Sequence, residues 1–122
     1  MSKPPTFYTE FRDRHPAIVK AYEALGDACR AAGPLSERHA ELVKLGLAAG
    51  AGLEGAIHSH ARRALSAGAS PDEVRHVGLL AITTLGFPGA MAIRAEIESV
   101  VAKAAKAAKK ARRSRGKGKK SR

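Results

Sequence analysis

Between Pro16 and Val101 apolar residues return every three or four positions in five stretches, and glycine or proline separates each stretch from the next. That period is helical, and no stretch alternates with the period of two that a half-buried strand requires. From Pro16 to Ala32 the stripe is Ile18, Val19, Tyr22, Leu25 and Cys29, and Gly33-Pro34 ends it. Ser36 is placed to cap a second helix carrying Leu42, Leu45 and Ala49, with Glu37 in its first turn where a negative charge suits the helix dipole. Gly50 and Gly52 stop that helix, and Glu54 to Ala67 forms a third through Ile57, Ala61, Ala64 and Leu65, closed by Gly68. Ser70-Pro71-Asp72-Glu73 is the clearest start: a serine cap, a proline whose missing N–H costs nothing at the first position, and a glutamate that completes a capping box. Val74, Val77, Leu80, Ala81 and Leu85 are expected on its buried face, and a last helix runs from about Gly89 through Met91, Ile93, Ile97, Val100 and Val101. The expected fold is all-α, an antiparallel bundle of about five or six helices joined by short connections.

Charge divides the chain. Of 22 lysines and arginines, eleven lie between Lys103 and Arg122, where no acidic residue occurs, so the formal charge of +11 belongs to that segment alone. The expected organisation is a helical domain over residues 1–102 and a basic tail over residues 103–122. No run reaches the ~18 apolar residues of a membrane span, and Met1 to Pro5 carries no apolar signal core, which points to the cytoplasm. A lone cysteine, Cys29, excludes an intrachain disulfide and a dithiol redox pair, and its helical stripe marks it as an inert core residue. Four of the five aromatics, Phe7, Tyr8, Phe11 and Tyr22, fall in the first 22 residues, as expected of an N-terminal segment lying across the rest as a lid. Alanine-rich helices bury little area each, at ~25 cal/mol per Å². Association of several copies through Ala and Leu faces would supply the missing burial, with a compact monomer as the alternative.

The residues that can do chemistry sit on one hairpin. Glu41 precedes the middle of the glycine turn by ten residues and His60 follows it by nine, so antiparallel helices of equal rise bring them to the same height. A carboxylate bonded to one imidazole nitrogen fixes the tautomer and leaves the other nitrogen free to move a proton. The same geometry also describes a purely structural polar pair. His58 and His60 lie about 200° apart on a helix and cannot share a metal. Glu54 and His58, four apart, read as a surface pair rather than a metal site, so no metal ligands are expected.

Glu41-Leu42-Val43, a glycine turn, His60-Ala61-Arg62-Arg63-Ala64-Leu65, Ala67-Gly68-Ala69, Glu73-Val74, Leu79-Leu80 and Gly86-Phe87-Pro88-Gly89-Ala90 together resemble the alkylhydroperoxidase-D-like and carboxymuconolactone decarboxylase superfamily. The resemblance covers residues 41–93. In the hydroperoxidase branch a Glu lies nineteen residues before a His, with a Cys-x-x-Cys whose second Cys is four before that His. Glu41 and His60 keep that spacing, but Leu53 and Ala56 stand at the two cysteine positions. A dithiol peroxidase needs one thiolate to attack and a second thiol to resolve the sulfenic acid, so that mechanism is excluded. The resemblance then implies the decarboxylase side: a cofactor-free lyase acting on a small carboxylated lactone. His60 would transfer the proton, Glu41 would orient it, and Arg62, Arg63 and His58 are candidate substrate binders. It also implies a homo-oligomer, trimer or hexamer.

In the tail, Lys103, Lys106, Lys109, Lys110 and Arg113 fall three or four apart, and with Arg112 they form a basic stripe if the last helix continues. Like charges at that spacing repel, so fraying is expected, with Ser114 to Arg122 disordered. Such a stripe binds phosphate backbones without reading sequence. The alternative function is therefore a non-catalytic oligomer whose tails bind nucleic acid or another polyanion.

Overall fold

The computed structural model describes residues 6–120. The reading of Met1 to Pro5 falls outside them, as do Ser121 and Arg122. Six helices and no strand occur among the described residues: α1 (Thr6–Arg14), α2 (Pro16–Ala31), α3 (Glu37–Ala51), α4 (Glu54–Ser66), α5 (Pro71–Leu85) and α6 (Phe87–Lys120). No helix among them is long and apolar enough to cross a membrane.

The boundaries follow local chemistry. Ser36 Oγ accepts from the His39 backbone N–H at the start of α3, and at α5 both bonds of the capping box between Ser70 and Glu73 are made. Gly52, at φ 68°, turns the chain between α3 and α4 while its N–H bonds the carbonyls of Ala48 and Ala49. A side chain there would occupy the strained left-handed region, and only glycine enters it freely.

Helices α3 to α6 form the bundle: α3 pairs with α4 and α5 with α6 as hairpins, while α4 lies against α6 and α3 against α5. Leu45, Ile57, Ala61, Ala64, Val74, Ala81, Ile93, Ile97, Val100 and Val101 fill the core. Gly78 is buried where α5 meets α6, and a Cβ built on it would lie 3.4 Å from Ile97 Cδ1, an ordinary van der Waals contact.

The periphery departs from expectation. The aromatic segment is a helix of its own, α1, packed against α2; Phe7 and Phe11 are exposed rather than closed over the bundle, while Tyr8 and Tyr22 line a cavity against it. Of the α2 stripe only Val19 is buried; Ile18, Leu25 and Cys29 are exposed, so Cys29 is not a core residue. Leu80 and Leu85 on α5 are likewise exposed. Periodicity records that a helix face is apolar, but not what covers it. At the other end α6 continues to Lys120 and crosses the 102/103 position without a break. Repulsion within the basic stripe is set against the high helix propensity of its alanines and lysines, and the structure keeps the helical form where disorder was expected from Ser114.

Candidate functional site

Glu41 sits mid-way along α3 and His60 mid-way along α4. Equal rise from the Gly52 turn brings their side chains together, with Glu41 Oε2 2.8 Å from His60 Nδ1. The other carboxylate oxygen, Oε1, accepts a hydrogen bond from Arg30 Nε of α2 at 3.0 Å. Arg30 also stands 3.7 Å from Asp27 one turn earlier. Glu41 is only 2 % exposed, against 16 % for the His60 side chain and 24 % for that of Arg30. A buried carboxylate is costly unless its oxygens are satisfied, and here each has a donor.

Burial pushes the Glu41 carboxyl up, but the hydrogen bonds from His60 and Arg30 and the attraction of both groups outweigh it. The net position is below the ordinary carboxylate range. Glu41 is therefore an ionised acceptor, which fixes the imidazole: Nδ1 must carry the hydrogen that bonds to Oε2. Nε2 is left without a protein partner among the described residues.

His60 and Glu41 line a cavity of about 700 Å³, a volume suited to a small organic ligand. Its wall includes Tyr8, Tyr22, Lys44, Ala56, Ser59 and Arg63. Tyr8 donates to Glu23 at 3.0 Å across the rim, and that carboxylate holds the phenol above its ordinary pKa. Lys44 and Arg63 make no ion pair among the described residues, so both are available to an anion. Ala56, at one of the two family cysteine positions, lines the same wall, while Leu53 at the other is the residue before α4.

Not every expected residue reaches this cavity. Arg63, three positions after His60, faces it, whereas His58 and Arg62, each about 200° away around α4, line a separate groove between α4 and α6 with Leu65, Val100 and Lys103. His58 Nε2 is bonded there to Glu96 Oε2 of α6. Lys106, Lys109, Lys110, Arg112 and Arg113 are exposed along the α6 extension, far along the chain from the pair. Arg30 was absent from the sequence reading: it lies in a helix whose docking no local pattern specifies, and only its i+3 relation to Asp27 was visible.

Neither the curated proteins nor the solved structures compared with the chain gave a match. The model of the carboxymuconolactone decarboxylase family does match, over residues 16–99, a span that holds Arg30, Glu41, His60 and Arg63 and all but the first and last parts of the helical fold. The chain belongs to the carboxymuconolactone decarboxylase family.

Proposed function

We propose that the chain is a cofactor-free lyase that decarboxylates a small carboxylated lactone or a related acid. The observation that supports it is His60, held through Nδ1 by buried Glu41 and lining a cavity of about 700 Å³ with Nε2 unpartnered among the described residues. In the proposed reaction the bond to the departing carboxylate breaks, and its electron pair flows into a conjugated carbonyl. The resulting enolate takes a proton on carbon from Nε2 of the doubly protonated His60 ring as CO2 leaves; Nδ1 keeps its hydrogen on Glu41, and solvent returns a proton to Nε2 for the next turnover. Glu41 orients the ring, Arg30 holds Glu41, and Arg63 or Lys44, on the wall of the same cavity, binds a carboxylate that is not lost. A homo-oligomer, trimer or hexamer, would cover exposed Leu47, Leu80 and Phe87.

The test is CO2 release from 4-carboxymuconolactone by the full chain and by His60→Ala. Release that falls by about 10²-fold or more in the variant is expected for loss of a general acid. Release unchanged by the substitution overturns the role of His60, and none from the wild type removes the substrate.

A second reading, polyanion binding, is favoured by the α6 extension, which presents Lys106, Lys109, Lys110, Arg112 and Arg113 exposed and without acidic partners among the described residues. Deletion after Ala102 should then abolish a steeply salt-dependent affinity for duplex DNA. Affinity that survives the deletion rejects that reading.

A further inference from the structure

On the side of α4 away from His60, three ligating groups from two helices converge. Glu54 and His58 are one turn apart on α4, and Glu96 projects from α6, so that one donor atom from each lies within 4.8 Å of the others. His58 Nε2 already contacts Glu96 Oε2. No lysine or arginine among the described residues pairs with Glu54 or Glu96, and Glu54 has no hydrogen-bond partner there. A helical pair at i and i+4 explains Glu54 with His58, and an interhelical bond explains His58 with Glu96. Neither explains two carboxylates at one point.

We propose that Glu54, His58 and Glu96 bind a divalent first-row transition ion. One imidazole with two carboxylates is the donor set of Zn²⁺, Mn²⁺ or Fe²⁺, and the nitrogen ligand disfavours Mg²⁺ and Ca²⁺. Ligand bonds near 2.1 Å require donors roughly 3 to 4 Å apart. The exposed Glu54 side chain closes the remaining gap by a change of rotamer. Three protein ligands leave coordination positions open, and two of them, Glu54 and Glu96, line a cavity of about 500 Å³ with Gly52, Leu85 and Gly89. The site is distinct from the Glu41–His60 cavity and lies on the opposite face of the same helix. By joining α4 to α6, the ion would also stabilise the native packing, since unfolding separates the ligands.

The experiment is calorimetric titration of the untagged full chain with Zn²⁺, alongside the visible absorption of bound Co²⁺. One ion per chain is expected, with affinity reduced about tenfold or more by Glu96→Gln, by Glu54→Gln and by His58→Gln, and loss of the Co²⁺ bands in the last. Glu54→Gln alters an exposed side chain and Glu96→Gln a half-buried one, and circular dichroism verifies that each keeps the fold. Cys29→Ser and Glu41→Gln are expected to retain wild-type binding. The proposal is overturned by the absence of Zn²⁺ binding to the wild type, by binding that survives Glu96→Gln, or by binding lost in Cys29→Ser or Glu41→Gln, which would place the ion elsewhere.

Discussion

Replacing Glu41 by glutamine removes one charge and changes no volume, and its consequences follow from the bonds at the carboxylate. The wild-type group accepts from His60 at 2.8 Å and from Arg30 at 3.0 Å. A glutamine has one acceptor oxygen and one NH2. If the oxygen keeps Arg30, the NH2 faces His60, and the ring must move its hydrogen from Nδ1 to Nε2 to accept it. Two bonds to a charged acceptor, about 1.5–3 kcal/mol each, become bonds to an amide at about 0.5–1.5 kcal/mol. The amide is also less costly to bury than the carboxylate. The expected net loss is about 2 kcal/mol at pH 7. It should depend on pH in one direction. Because the folded carboxyl lies below its ordinary range, its contribution is fully present above the unfolded value of about 4.3 and is lost as pH falls through the folded value. Urea unfolding of both proteins at one fixed concentration, from pH 7 downward, should show the difference shrinking on the acid side. Histidine nitrogen NMR should show the hydrogen on Nδ1 in the wild type and on Nε2 in the variant. A penalty equal at neutral and acid pH, or an unchanged tautomer, would refute the reasoning.

Two further substitutions test the packing. Leu45→Ala, at a fully buried position of α3, should cost about 2–5 kcal/mol in denaturant unfolding; a cost under about 1 kcal/mol would mean the α3 core is not closed. Gly78→Ala should instead stabilise by about 0.5–1 kcal/mol, since helix propensity is gained while the new methyl meets only the Cδ1 of buried Ile97 at an ordinary contact distance of 3.4 Å; a destabilisation would show that Ile97 has no room to yield.

Much of the candidate site was legible because it is a local matter. Glu41 and His60 are joined by one short turn, so helical rise alone predicts their meeting, and the structure places them in hydrogen-bond contact. The same rise, with 100° per residue, predicts that His58 and His60 diverge, and they do. By that arithmetic only one of Arg62 and Arg63 can point where His60 points, and the structure puts Arg63 on the cavity wall and Arg62 in the other groove. The partners supplied by distant helices were not legible. Arg30 reaches Glu41 from α2, and Glu96 reaches His58 across thirty-eight residues of chain.

Capping residues, glycine turns and apolar period determined helices α2 to α6 and their order, because each depends on residues within about one turn. The start of α5 at Ser70 and the turn at Gly52 are examples. The sequence likewise settled that no dithiol chemistry runs at Leu53 and Ala56, since side-chain identity alone decides it. Only the tertiary structure decided which apolar faces are covered. The stripe of α2 and the leucines of α5 have the same period as the stripe of α4, yet Ile57 is buried while Leu25 and Leu80 face outward. Burial depends on how helices far apart in the chain dock, and that is set by the sum of many weak contacts rather than by any local pattern. The same docking turned a two-residue surface pair on α4 into a three-residue cluster by bringing Glu96 alongside it.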